Sequence, residues 1–345
     1  ASCLVGSEMC IRDSYYIDSS NNISFDDAIT LYEKERFLSS NSVDCLNFGS
    51  LIEPVWVSLD LYSEAHLTKV LNLKCPYLYY VDLYIKKNDK WTAYTPTGKK
   101  RPIKNKGRFV VRNYAWLLEF NPNEPLTILM RVQSNAPTLI PLSLESENSY
   151  LRSRVLAELL YGIYFGILLV MILYNAILYF TLKEISYLYY TLIVFCTLIL
   201  FTSSNGFLGK YVFPNSWELS YFTGEIFMIL IIIPTSLFAI NFLELKWYSK
   251  FMYKILAGLC YLSVPVLIIM IFTESSNLAS IAVGVLAISL MSSGIITWIK
   301  GNVYAKYYVM AWFFYLLGGF CVVGRNIGFL PVSYTHLTLP TKRIV

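Results

Sequence analysis

One uncharged run, Tyr161–Leu182 (YGIYFGILLVMILYNAILYFTL), limits what this chain can fold into more than any other feature. About 20 apolar residues in a helix cross the roughly 30 Å hydrocarbon core of a bilayer. Five more such stretches follow, at Tyr187–Leu208, Tyr221–Leu243, Ile255–Phe272, Leu278–Ile299 and Tyr307–Leu330, so the sequence predicts six crossings. Before them lies a polar region patterned as strands. The chain is 56% hydrophobic and 15% charged, with mean hydropathy +0.50, which is too apolar for one soluble domain. Its net charge of +5 is scattered, which argues against a nucleic-acid partner.

The lysines orient the spans. Turns after the first, third and fifth spans hold Lys183, then Lys246, Lys250 and Lys254, then Lys300 and Lys306; the even turns hold only Lys210. That bias puts the odd turns in the cytosol and the N-terminal domain outside. Arg152 and Arg154 oppose it, but a long exported domain overrides nearby charges. The lipid bilayer is thus the first expected partner. Tyr187, Trp217, Trp247 and Trp298 fit an interfacial aromatic belt, and Pro234 and Pro265 fall inside spans, where a bundle tolerates them.

The two ends do not look like the rest. Ala1–Ser14 (ASCLVGSEMCIRDS) has neither the basic nor the apolar region of a signal peptide and resembles translated sequencing-adaptor DNA; 332–345 (VSYTHLTLPTKRIV) resembles the same contaminant read from the other end. Both are expected to be non-native tails, which sets aside Cys3, Cys10 and His336 and leaves His66 as the native histidine. The expected domains are therefore 15–150, exposed, and 151–331, in the membrane. Of the seven cysteines, Cys196, Cys260 and Cys321 sit in apolar helices as packing residues, while Cys45 and Cys75 are two exposed-domain thiols whose pairing is left open, with unpaired as the default.

In the exposed domain, Ser24 is placed to cap a short helix running to Phe37. Val55, Val57, Leu59 and Leu61 alternate with Trp56, Ser58, Asp60 and Tyr62, and Tyr79–Ile85 alternates likewise. Further strands are expected at 66–74, 91–94, 108–112, 115–120, 126–132 and 138–144, with turns at Thr97-Gly98, Asn121–Asn123 and Asn135–Pro137. About eight short strands so spaced predict an all-β sandwich of jelly-roll type.

Trp56, Tyr80, Tyr84, Trp91 and Tyr94 supply flat aromatic faces, and Lys99, Lys100, Arg101 and Lys104 form a basic loop. Aromatic faces beside hydrogen-bonding groups suit a carbohydrate, since sugar C–H faces stack and hydroxyls bond at the edge. Aromatics on strands also simply pack the sheet. In the membrane half, Glu225 and Arg325 are the intramembrane charges and form a candidate pair. No Gly-x-Ser-x-Gly, His-Glu-x-x-His or phosphate-loop pattern occurs, so no catalytic residue, metal or cofactor is expected.

Gly162-x-Tyr164-x-Gly166 followed by Tyr174-Asn175, behind a strand-rich domain, resembles the bacterial seven-transmembrane receptors with diverse intracellular signalling modules. Supporting features are Asn47-Phe48-Gly49 before Val55-Trp56-Val57, the Tyr80–Tyr84 strand, the Thr97-Gly98 turn and Leu129-Met130-Arg131-Val132. Lys99 departs from the pattern, because an acid often stands there in the family. The resemblance implies a jelly-roll-like sensor domain followed by six of seven transmembrane helices, with a seventh span and a cytoplasmic kinase, cyclase or phosphatase beyond them. It implies a non-enzymatic sensor fragment in a bacterial cytoplasmic membrane that binds a small molecule or carbohydrate outside the cell, with homodimerisation through the bundle or the output module left open. Gly162 and Gly166 make a small-residue face for close helix contact, and Asn175 is placed to hydrogen-bond across helices. The alternative is a transporter or membrane enzyme with an accessory outer domain, which predicts a polar cavity at mid-membrane.

Overall fold

In a computed structural model, the described residues are 9–39, 46–49, 51–101, 112–134, 138–273 and 277–327. The expected strand at 108–112, Lys104, Cys45, the Asn135–Pro137 turn and the 332–345 tail fall wholly or mostly outside them. The chain forms two compact units: 1–156 with 205–218 and 324–345, and 157–204 with 219–323. The boundary thus falls six residues beyond the expected one, and the first unit also takes in the turn 205–218.

The first unit is an antiparallel β-sandwich. Its larger sheet has six strands in the order β2 (Leu38–Ser39), β1 (Met9–Ile17), β4 (Val55–Ser63), β9 (Leu126–Gln133), β6 (Tyr80–Lys87) and β7 (Lys90–Ala93). Facing it are β11 (Leu142–Glu145), β5 (Leu67–Leu73) and β8 (Tyr114–Phe120), with β3 (Leu46–Asn47) paired to β10 (Leu139–Ile140) beside them. The expected strand at 138–144 is split because Pro141 has no N–H to give a ladder. Alternation decides the core: Val55, Val57, Leu59 and Leu61 meet Leu71, Leu73, Trp116 and Leu118 between the sheets. Cys75 is a buried thiol at the edge of this core.

β1 starts inside the stretch expected to be non-native, and Met9–Ser14 pairs residue for residue with Ser63–Ser58. Ladder bonds are made by backbone groups, so strand pairing continues across a change of sequence character. Helix α1 (Phe25–Glu33) begins as expected: Ser24 accepts from the Asp27 N–H while Asp27 Oδ2 accepts from the Ser24 N–H, a reciprocal capping box. The helix ends before Phe37, since Glu35 takes a left-handed conformation (φ 54°).

Glu145 closes β11 in an ion pair with Lys74, 2.9 Å away, and accepts from Ser143 Oγ at 2.7 Å. Burial works to raise its pKa, but the hydrogen bonds from Lys74 and Ser143 and the Lys74 charge outweigh it and hold the carboxyl below its ordinary value. A depressed carboxyl stabilises the fold fully above its unfolded pKa of about 4.3, and that contribution is lost as the pH falls through the lower folded value. The protection factors of the β5 and β11 amides, corrected for intrinsic exchange, are therefore expected to fall below about pH 4 in the wild type. Lys74→Met removes most of that acid step.

The second unit is helical. It comprises α2 from residue 157 onward (the helix is Glu147–Leu182), α3 (Ile185–Ser204), α4 (Trp217–Leu230) from Leu219 onward, α5 (Ile232–Phe242), α6 (Leu245–Tyr248), α7 (Lys250–Thr273), α8 (Asn277–Ile299) and α9 (Ala305–Ile327) up to residue 323. Five helices among the described residues, with α4 and α5 taken as one, are long and apolar enough to cross a membrane. The expected sixth crossing is α9, a 23-residue helix that is not among those five. The third expected span divides at Ile231, because Pro234 cannot donate back to the Leu230 carbonyl. Ile232, Leu256, Leu286 and Leu290 centre the packing of α5, α7 and α8.

The close helix contacts are not where the sequence pattern put them. A Cβ on Gly162 or Gly166 would meet nothing within 4 Å, so this structure places neither in a helix contact. Asn175 donates to the Met171 carbonyl of its own helix (2.8 Å), not across helices. Contact is instead made at Gly224, against Ser203, and at Gly294, where a Cβ would lie 2.8 Å from Tyr308 and 2.9 Å from Val309. Gly294→Leu is expected to force α8 and α9 apart and lower the thermal midpoint of the purified chain by several degrees (about 2–4 °C per kcal/mol). Gly162→Leu is expected to leave that midpoint unchanged.

Candidate ligand-binding site

The outer face of the six-stranded sheet carries the groups from which a site can be built. Register lines up Trp56 on β4, Arg131 on β9 and Asp82 on β6 as neighbours across three strands. Asp82 is only 9% exposed and sits between two guanidinium groups. Arg101 reaches it from the loop after β7, while Arg131 Nη1 lies 3.7 Å from its other oxygen. Arg101 also donates to the Thr97 carbonyl (3.0 Å), and its guanidinium lies 5.2 Å from the centre of the Tyr80 ring. Arg131 donates to Gln133 Oε1 at 3.1 Å. Two cations around one carboxylate leave the cluster with a net positive charge.

Beside this cluster stands an aromatic column. Tyr84 stacks on Phe25 of α1 with centroids 4.0 Å apart, Trp56 lies 6.1 Å beyond Tyr84, and Trp91 meets Phe25 edge-on at 5.6 Å. Burial first, and the Asp82 charge second, push the Tyr84 hydroxyl above its ordinary pKa, so it remains a neutral donor. Trp56 is 1% exposed, and among the described residues its indole N–H has no hydrogen-bond partner. A buried unpaired donor costs about 1–3 kcal/mol, which makes this one a candidate ligand contact. Helix α1 is fastened over the column by Tyr32, whose hydroxyl donates to Asp60 at 2.6 Å.

The structure divides the sequence-predicted set. Trp56, Tyr80, Tyr84, Trp91 and Arg101 share the outer face. Tyr94 packs against the sandwich core instead, where burial and then Glu119 raise its pKa. The Lys99 N–H caps the Leu78 carbonyl, and Lys100 lies over the Tyr79 ring (5.0 Å) rather than beside Arg101. Sequence reasoning passed over Phe25, Asp82, Arg131 and Gln133. Asp82 and Arg131 were readable as outward positions in their strands, but only the β6–β9 register shows that they meet. In the second unit, Glu225 is half-buried in α4, and the side chain of Arg325 lies outside the described residues, so their pairing has no structural account.

The first unit also holds pieces of the membrane half. Tyr150, in the first turns of α2, is buried against Val70, Ala115 and Leu117 on the outer face of the three-stranded sheet. The turn 205–218, with its π-helical Leu208–Val212, is gripped by Arg112, which donates to the Asn205 carbonyl at 3.4 Å and lies 4.8 Å over the Phe207 ring. Gly206 supports the grip with a positive φ of 75°, in ordinary contact range of Pro76 and Arg112.

A sandwich with a recessed aromatic and arginine face, followed by long apolar helices, is the build of a membrane-bound sensor. The family described as 7TM diverse intracellular signalling matches residues 157–341, more than half of the chain, and the domain described as 7TMR-DISM extracellular 2 matches 13–146. The chain belongs to the 7TM diverse intracellular signalling family, a group of signalling receptors with an extracellular domain and a 7TM region. No curated protein matches it.

Proposed function

We propose that this chain is the sensing and transmembrane part of a receptor that binds a carbohydrate at the outer face of its six-stranded sheet. The observation that carries the reading is the unpaired indole N–H of Trp56, buried beside the Asp82–Arg101–Arg131 cluster. Such a site offers a donor, a carboxylate and two guanidinium groups for hydroxyls, with Tyr80 and Tyr84 as stacking surface. The net positive charge favours a sugar carrying an acidic group. Phe25 stands over Tyr84, so a ligand that stacks there displaces the start of α1.

Two connections can carry that change to the helices within the first unit: the Tyr150 seat of α2 and the Arg112 grip on the 205–218 turn. A receptor of this kind works when ligand favours one of two packings of similar energy. The signal then passes to a cytoplasmic output module. Arg112→Ala is expected to leave ligand affinity within about twofold while abolishing the ligand-induced change of a fluorophore in the Lys246–Lys254 turn.

Glycan-array binding by the purified chain in detergent tests the ligand class. Binding that Arg131→Ala weakens by about tenfold or more supports the reading. A blank array with folded protein overturns it.

A further inference from the structure

A second site lies within the helical unit. Asn175 of α2, Ser186 and Tyr190 of α3, Phe238 and Asn241 of α5, and the turn residues Glu184 and Glu244 line an open cavity of about 560 Å³. That is within the usual range for small-molecule pockets, about 300–1,000 Å³. Its mouth is at the helix ends bearing Lys183 and Lys246, the turns that the lysine bias assigns to the cytosol. Asn175 lies seven residues inside the end of α2, so the cavity runs about 10 Å inward.

The polar groups are committed in one direction. The Asn175 amide N–H₂ donates to Met171 O at 2.8 Å, and the Asn241 amide donates to Ser186 Oγ at 2.7 Å. Among the described residues, neither amide oxygen accepts a hydrogen bond, although Asn175 is only 9% exposed. The carboxylates of Glu184 and Glu244 form no ion pair or hydrogen bond among the described residues. The neighbouring lysines are turned to other tasks: Lys183 lies 5.7 Å from the centre of the Phe180 ring and Lys246 lies 5.6 Å from that of Tyr253. What remains is a set of acceptors (two carboxylates, two amide oxygens) lined by aromatic rings. Such a set repels anions and attracts a cation that also has N–H bonds to give. Among the described residues no group of three His, Cys, Asp or Glu side chains could hold a metal ion, which points away from a bare metal and towards an organic cation.

We propose that this cavity binds a primary alkylammonium group presented from the cytosolic side, with Glu184 and Glu244 as counter-charges at the mouth and Asn175 Oδ1 as the innermost acceptor. Two sources carry that chemistry, a free cytosolic diamine and the headgroup of an aminophospholipid in the inner leaflet. The occupant bridges α2, α3 and α5, so it makes the bundle's packing sensitive to the cytosol independently of the outer ligand.

The test uses the full chain in uncharged maltoside micelles. Putrescine is titrated by calorimetry, with 1,4-butanediol as the uncharged control. In a second arm, native mass spectrometry compares retention of phosphatidylethanolamine with that of phosphatidylglycerol. Saturable putrescine binding identifies a free amine, and selective retention of phosphatidylethanolamine identifies the lipid. In either case Glu184→Gln together with Glu244→Gln weakens binding by about tenfold or more, and each single change by less. Both acids are solvent-exposed, so these variants keep the wild-type melting profile. Absence of binding in both arms, equal binding of butanediol, or binding untouched by the double substitution overturns the proposal.

Discussion

Gly98→Ala is expected to destabilise the sandwich by about 3–5 kcal/mol, the largest effect of any single methyl group in the domain. Gly98 has a φ of +146°, and a Cβ there would lie 2.0 Å from the Tyr79 carbonyl oxygen and 2.7 Å from its carbon. Backbone cannot swing aside as a side-chain tip does. The surrounding chain is also pinned: Thr97 and Val81 exchange both backbone hydrogen bonds, Lys99 N–H bonds the Leu78 carbonyl, and Lys100 N–H bonds that of Tyr79. From beneath, the buried Tyr114 hydroxyl holds the same segment, 3.2 Å from the carbonyls of Pro76 and Leu78. Relief would require unpairing the loop that carries Arg101, so the variant is expected to lose ligand binding with its stability. Calorimetry of Gly98→Ala beside Gly49→Ala makes the comparison. Gly49 has a φ of 59° but open space around it, and its substitution is expected to cost only about 1–2 kcal/mol. Equal losses at the two positions would refute the steric account.

Asp82→Ala is expected to cost about 3 kcal/mol, because it leaves two arginines facing each other on a largely buried surface. The side chains are only 24% (Arg101), 23% (Arg131) and 12% (Asp82) exposed, so water replaces little of the lost attraction. Replacing the whole cluster is a different matter. Asp82→Leu with Arg101→Met and Arg131→Met exchanges an ion-paired group for apolar surface of similar size and is expected to recover most of the stability. It is not expected to recover ligand binding. Thermal unfolding and array binding of the single and triple variants separate the two roles, and a triple variant as unstable as Asp82→Ala would sink the electrostatic explanation.

The period-2 runs at Val55–Tyr62 and Tyr79–Ile85 were readable as strands because alternation is a property of neighbouring residues. Their inward faces followed directly, and the sandwich core is built from them. The Ser24 cap and the apolar spans were legible for the same reason, since each depends on residues within one or two turns. The candidate site was half legible. Its aromatic members stand out by type, whereas Asp82 meets Arg131 and Trp56 only through strand register, and Phe25 covers Tyr84 only through the docking of α1. Tyr94 shows the converse: an aromatic at a plausible position that the core claims.

By itself, the sequence determined the features that local periodicity and composition dictate: a strand-built exposed domain, long apolar helices, and the resemblance that named their class. Tertiary structure alone decided which separated groups share a surface. It moved the close helix contacts from Gly162 and Gly166 to Gly224 and Gly294, placed the 205–218 turn with the sandwich, and brought Asn175, Glu184 and Glu244 to one open cavity. The physical reason is the same in each case. Hydrophobic patterning tells a residue to leave water, but its partner there is chosen by register, helix docking and shape, which link positions tens to hundreds of residues apart.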